Sequence, residues 1–240
     1  MKKVKIAQYQ QAVLKVLSGQ IGEFYLAGGT ALSLFYFQHR LSVDLDFFTP
    51  KLSYKRVKEI IAYLQKNLKC KEIKLAAQNL ERDKTKMLIY NIHFTANDTL
   101  KVDFVEDIFD LIKETKIVEG IKILSLEDIY IRKIFAISGV VKTIDEVGQT
   151  QFIGGRIAAK DFYDLYFLSH VFMPLSQFVK KYCDAATMEA LIRWFKTYDR
   201  MTMTSGILEI DTEKNIDIKG IGKHFAKEIS KIIEQQIGEV

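Results

Sequence analysis

The chain has little cysteine, with only Cys70 and Cys183 among 240 residues. The two are far apart and match neither a disulfide framework nor the paired spacing of a zinc site, which suits a reducing compartment and gives neither thiol a role. Proline is equally scarce, and Pro50 and Pro174 each mark a boundary between periodic segments. No apolar run approaches the roughly 18–20 residues that span a bilayer, and the opening MKKVKIAQYQQAVLKVL is amphipathic without a small-residue cleavage site. Repeats, low-complexity tracts and Pro/Gly-rich linkers are missing as well. These absences exclude a disulfide-stapled, membrane-spanning or repetitive protein. The expectation is a soluble, unprocessed, cytoplasmic protein.

What the chain does have is a 48% hydrophobic content, enough to fill a core, and a formal net charge of +5 that is unevenly spread. Residues 1–112 carry 17 Lys+Arg against 12 Asp+Glu, whereas residues 113–240 carry 18 of each. Residues 51–74 concentrate the excess in Lys51, Lys55, Arg56, Lys58, Lys66, Lys69, Lys71 and Lys74, against Glu59 and Glu72. Such a stretch suits a polyanion, either a triphosphate or a nucleic acid. It equally suits the wet face of an amphipathic helix.

Hydrophobic periodicity divides the chain. After an opening helix, residues 23–27 read as a short strand ending at Gly28-Gly29, and Thr30 is expected to cap a helix through ALSLFYFQ. VDLDFF alternates as a strand does, with Val43, Leu45 and Phe47 toward the core. Val57, Ile60, Ile61, Leu64 and Leu68 give a helix over 53–68, and strands follow at about 72–78, 86–94 and 100–105. From residue 113 the strand signal stops. Helices are expected from a Ser125/Asp128 capping pattern to about Ser138, then at 159–170, 175–182, 185–198 and 223–237, with a polar, glycine-containing loop at 143–155. The reading is an α+β protein: a mixed-sheet domain over 1–112 and a helical domain over 113–240.

Side chains alternate along a strand, so Asp44 and Asp46 share one face, and the apolar row Leu100, Val102, Phe104 leaves Asp103 on the polar face beside Lys101. Three carboxylates on one rim repel unless a cation neutralises them, and magnesium prefers oxygen ligands. A two-metal site is therefore chemically reasonable. Upstream, Gly28 and Gly29 let the backbone approach a ligand, and the helix opened by Thr30 offers free N–H groups to phosphate. Taken alone, D-x-D is common on exposed strands and Gly-Gly can be no more than a tight turn; the combination is more specific.

The stretch GGTALSLFYFQHRLSVDLDFF resembles the Gly-Gly-(x)n-Asp-h-Asp signature of the DNA polymerase β-like nucleotidyltransferases. More closely, it resembles the nucleotidyl transferase AbiEii/AbiGii toxin family of type IV toxin–antitoxin and abortive-infection systems. LKVDF is similar to that family's third-carboxylate strand, IRKIFAISG to its Lys-x-x-Ala helix and RIAAKDFYDLYFL to its Arg-x-x-x-Arg-Asp-x-x-Asp helix. By position, Lys133, Arg156, Asp161 and Asp164 correspond to motif residues. Lys160 departs from the usual arginine, and the segment between Lys133 and Arg156 is longer than usual.

The resemblance implies a metal-dependent nucleotidyltransferase that moves a nucleoside monophosphate from an NTP to an acceptor hydroxyl, as a toxin restrained by a separately encoded antitoxin. Asp44, Asp46 and Asp103 would hold two Mg2+ ions, and Gly28, Gly29, Thr30, Arg40, Lys133 and Arg156 would contact the nucleotide in a cleft between the domains. Lys133, Asp161 and Asp164 join the catalytic candidates. The residues leave alternatives: Lys133 interrupts an apolar row and can snorkel, Lys160 can pair with Asp164 at i,i+4, and His39 suits a surface or helix end. His93, His170 and His224 have no ligand spacing. RNA, in particular the tRNA 3′ end, is the expected acceptor. The rivals are an enzyme that modifies a protein or small molecule, and a non-catalytic module on the nucleotide fold.

Overall fold

The computed structural model describes residues 2–81, 85–139, 141–144, 150–153, 155–156 and 158–237. They form two compact units, one of residues 1–36 with 41–125, the other of 37–40 with 126–240. No helix among the described residues is long and apolar enough to cross a membrane.

The first unit runs α1 (Lys2–Leu17), β1 (Tyr25–Leu26), α2 (Gly28–Ala31) continued by a π-helical turn (Leu32–Tyr36), β2 (Asp44–Thr49), α3 (Tyr54–Asn67), β3 (Glu72–Asn79), β4 (Met87–His93), β5 (Thr99–Glu106), β6 (Lys116–Val118) and β7 (Ile121–Ile123). Its mixed sheet has the order β3-β4-β5-β2-β1-β7-β6. Strands β2 and β5 are parallel, as are β1 and β7; the other pairs are antiparallel. The two-residue period decides which face is core: Leu45 and Phe47 of β2, Leu88, Tyr90 and Ile92 of β4, and Leu100, Val102 and Phe104 of β5 are buried. On α3 the helical spacing buries Val57, Ile60, Ile61 and Leu64, and Ser53 caps the helix by accepting from the Arg56 N–H.

Several expectations are corrected here. Val43 lies before β2 and is exposed. Strand signal does not stop at residue 113, because β6 and β7 pair antiparallel and β7 adds to β1. Ala27, not Thr30, precedes the first helical residue of α2 as its cap, in extended conformation.

The second unit contains α4 (Leu126–Ser138), β8 (Val141–Ile144), β9 (Thr150–Ile153), α5 (Ala159–Phe167) continued by a π-helical turn (Leu168–Phe172), α6 (Leu175–Tyr182), α7 (Ala185–Thr197), α8 (Arg200–Leu208) and α9 (Ile218–Ile237). Strands β8 and β9 form an antiparallel pair where a loop was expected; residues 145–149 and 154 of that stretch lie outside the described residues. Helix α8 was not expected, and α9 begins five residues before its predicted start at 223. Phe162 stacks on Phe225 and Tyr130 on Phe178, so aromatic pairs fill the helical core.

Candidate active site

Parallel pairing of β2 with β5 sets Asp46 opposite Asp103 and Asp44 opposite Lys101. Strand alternation then puts all four side chains on one face, away from Leu45, Phe47, Val102 and Phe104. The three aspartates share that face, and a lysine lies among them. Lys101 Nζ lies 2.8 Å from Asp103 Oδ2 and 3.8 Å from Asp44 Oδ2. Burial on its own would lower the Lys101 pKa, but the hydrogen bond to Asp103 and the charges of Asp103, Asp44 and Asp46 outweigh it and raise the value.

The glycine turn reaches the same face. Ala27 donates its N–H to the Asp46 carbonyl at 2.9 Å, and Gly28 follows with φ +67. A Cβ at Gly28 would stand 3.1 Å from Asp46 Oδ2, so the lack of a side chain makes room for that carboxylate. Gly28→Ala is expected to cost about 1–2 kcal/mol for the left-handed backbone and to push the Asp46 carboxylate aside. A fall in transfer rate well beyond what the stability loss explains, measured on protein shown folded by its thermal melt, checks this. A variant with wild-type rate and stability would contradict it.

A second tier holds the start of β2. The Asp44 carbonyl accepts from Thr30 Oγ1 at 2.6 Å and from Gln10 Nε2 at 3.0 Å, and Gln10 also donates to the Ser42 carbonyl at 2.9 Å. Since the Thr30 proton is committed, Ser42 Oγ donates to Thr30 Oγ1, at 2.8 Å. Gln10 and Thr30 are fully buried. Thr30 therefore fixes the first carboxylate residue through its backbone, and its hydroxyl is turned inward. Gln10 was missed by sequence reasoning: the only signal was a glutamine one turn from the apolar row of α1.

Aspartate oxygens are hard donors, and their shared face and register fit a divalent cation in chemistry. Among the described residues, however, no three His, Cys, Asp or Glu side chains converge as they stand on one metal position. Two of the three carboxylates are turned to the Lys101 ammonium instead.

The remaining candidates come together in the second unit. Lys133 Nζ bridges Asp161 Oδ1 at 2.5 Å and Asp164 Oδ2 at 2.7 Å. Arg156 Nε meets Asp161 Oδ2 at 2.5 Å, while most of its side chain is exposed. Arg40 grips Asp164 through both oxygens, Nε to Oδ1 at 2.6 Å and Nη2 to Oδ2 at 2.8 Å. Its fork is filled by a carboxylate, where sequence reasoning had it reaching phosphate. His39 is fully buried rather than superficial, and donates from Nε2 to Asp164 Oδ1 at 2.7 Å. Gln38 delivers this pair with a positive φ of 49, a conformation non-glycine residues seldom take. Asp164 is thus held by Lys133, Arg40 and His39, not by Lys160.

Burial would raise the Asp164 pKa, but Lys133, Arg40 and His39 together hold it well below the usual carboxylate range. Asp161 is likewise lowered by Lys133 and Arg156 against its own burial. His39 moves down, mainly through burial, so its ring is neutral at neutral pH. Its Nδ1, buried and without a hydrogen-bond partner among the described residues, offers no home for a second proton. His93 Nδ1 contacts Thr99 Oγ1 and His224 Nε2 contacts Ser169 Oγ.

A glycine turn against a strand carrying paired aspartates, with a third aspartate on the adjoining parallel strand, belongs to the nucleotidyltransferases. This chain is one. The model of the nucleotidyl transferase AbiEii toxins of type IV toxin–antitoxin systems matches residues 13–239, and the chain belongs to that family. Membership implies a nucleoside triphosphate substrate and an antitoxin partner. No curated protein matches the chain. Among solved structures it is similar to JHP933 from Helicobacter pylori, with 19% identity, TM-score 0.64 and coverage of 99% of this chain and 96% of that one. It is also similar to MenT4, a nucleotidyltransferase toxin from Mycobacterium tuberculosis, with 13% identity, TM-score 0.55 and coverage of 97% and 84%. At these identities the likeness is one of fold.

Proposed function

We propose that this nucleotidyltransferase is metal-dependent and transfers a nucleoside monophosphate to the 3′ end of tRNA, acting as a toxin in the cytoplasm. The observation that carries the catalytic reading is the in-register pairing of Asp46 with Asp103, with Asp44 on the same face and the Gly28 turn against Asp46. Asp44 and Asp46 would hold two Mg2+ ions, with Asp103 completing the second site. Bound there, the ions would supply charge neutralisation for the triphosphate and its leaving group.

The chain's own part is positioning. Gly28 and Gly29 bring backbone N–H groups toward the phosphates, Thr30 and Gln10 fix the Asp44 backbone, and Asp103 takes the proton of the attacking hydroxyl. The acceptor oxygen forms a bond to the α-phosphorus as the bond to the pyrophosphate oxygen breaks. Arg156, anchored to Asp161 through Nε and mostly exposed beyond it, is a candidate for a phosphate contact.

RNA as acceptor is favoured by the basic stretch. Lys51, Lys55, Lys66, Lys69 and Lys71 are exposed. Their neighbours are partly committed, with Arg56 pairing Glu59, Lys74 pairing Glu72, and Lys58 over the Tyr54 ring. If about four lysines contact phosphates, affinity falls by a factor on the order of 10² between 50 and 200 mM salt. Incubating the protein with Mg2+, each labelled NTP and total cellular RNA or protein tests both points. Label in RNA, with salt-sensitive binding, is the expected result. Label confined to protein, or binding indifferent to salt, would replace the RNA acceptor with a protein one.

A further inference from the structure

The carboxylate face is a two-by-two lattice, Asp44 beside Lys101 and Asp46 beside Asp103. Lys101 is on that face by strand alternation, because residues 101 and 103 of β5 must point the same way while Leu100, Val102 and Phe104 fill the core. It is not a loose surface lysine that swings in. Its ammonium takes up Asp103 Oδ2 at 2.8 Å and lies 3.8 Å from Asp44 Oδ2, oxygens a divalent ion at this face would need.

We propose that Lys101 is a tethered cation that competes with divalent metal for the carboxylate face and so couples metal binding to nucleotide binding. This rests on the metal-dependent reading above. A lone divalent ion must displace the ammonium from Asp103 and Asp44, and the displaced charge is then repelled by the incoming one. When metal arrives together with a triphosphate, the anionic phosphates supply Lys101 with a new partner and the repulsion is offset. The lysine therefore weakens binding of metal alone and has little effect on binding of metal with nucleotide. Lys101 is in this sense a positioning residue for Asp103 and Asp44, and a specificity element against free metal.

The probe is Mn2+, titrated calorimetrically into the full chain with and without a non-hydrolysable NTP analogue. Lys101→Met is expected to bind Mn2+ alone about tenfold tighter, the modest size reflecting a half-exposed ion pair screened by solvent. With the analogue present the gain should shrink to within about twofold. Lys101→Arg, which keeps the charge, should behave as wild type in both titrations, and Lys101→Gln should repeat the methionine result, setting charge apart from packing. Equal or weaker Mn2+ affinity in Lys101→Met overturns the proposal. An equal gain with and without the analogue also overturns it, since the coupling is then missing. Asp46→Asn separates this failure from that of the underlying reading. If wild type binds Mn2+ and Asp46→Asn does not, the metal site stands whatever Lys101 does. If neither wild type nor any variant binds Mn2+, the metal reading and the Lys101 proposal fall together.

Discussion

Asp46→Ala is expected to lower nucleotide transfer by about 10³-fold or more, with Asp44→Ala and Asp103→Ala close behind, because each would remove an oxygen ligand where charge must be neutralised in the transition state. Stability should move the other way. The three aspartates stand on one sheet face, Asp44 and Asp46 are only partly buried, and the Lys101 ion pairs join Asp103 and Asp44, so deleting Asp46 relieves like-charge repulsion without opening a core cavity. A melting temperature equal to or above wild type, together with lost transfer in the presence of Mg2+ and NTP, is the expected signature. Expression in a bacterial host should slow growth for wild type and not for Asp46→Ala. Wild-type transfer by either paired-aspartate variant would sink the two-metal assignment, and undiminished growth arrest by Asp46→Ala would favour a non-catalytic module.

That this face was legible in the sequence follows from the two-residue period. Leu45/Phe47 and Leu100/Val102/Phe104 alternate cleanly against aspartates, and burial of one row leaves the other no choice of face. Lys101 was seen on the polar face for the same reason, although its bridging of two strands needed the register of β2 against β5. Elements without a period were lost. The three residues of β6 are all exposed and carry no alternation. Helix α8 has a good start signal, Asp199 accepting from the Met201 and Thr202 N–H groups, but Gly206 inside it weakens the helical pattern. That glycine has a packing reason no sequence shows: a Cβ there would come within 2.7 Å of the Ala159 Cβ.

The least legible feature was the ion network of the second unit. His39 and Arg40 reach Asp164 across more than 120 residues of chain, and neither periodicity nor spacing announces such a pairing. Local logic offered Lys160 as the partner of Asp164, since i,i+4 neighbours meet on any helix. Burial decides otherwise. A fully buried carboxylate needs more than one exposed lysine to stay charged, and Lys133 from α4 with the adjacent Arg40 and His39 provide that from two segments.

The consequence for Lys133 reverses the simplest expectation, that a phosphate-binding lysine can be removed at little cost to stability. Lys133 is buried and contacts both Asp161 and Asp164, so Lys133→Met leaves two buried carboxylates short of a cation and should cost about 3–5 kcal/mol. For a chain of this size that lowers the melting temperature by on the order of 10 °C. Arg156→Ala removes a partner whose side chain is mostly exposed and should cost about 1 kcal/mol or less, which makes it the better test of a phosphate contact. The pH dependence follows from the same network. Asp164 and Asp161 have folded pKa values below the ordinary 3.8, so their contribution is present above about pH 4 and is lost as pH falls through the folded values. His39 has a folded value below 6.5, so the unfolded chain binds its proton first and stability begins to fall as pH drops past 6.5. Lys133 acts at the other end: its folded value is raised above 10.5, so its contribution holds below that pH and is lost as pH rises through the folded value. Urea melts between pH 8 and pH 3 should therefore show a shallow loss below 6.5 and a steeper one below 4, and Asp164→Asn, already destabilised, should flatten the steep arm. A Lys133→Met variant as stable as wild type, with an unchanged acid arm, would show that the network carries no folding energy and return Lys133 to a purely phosphate-binding role.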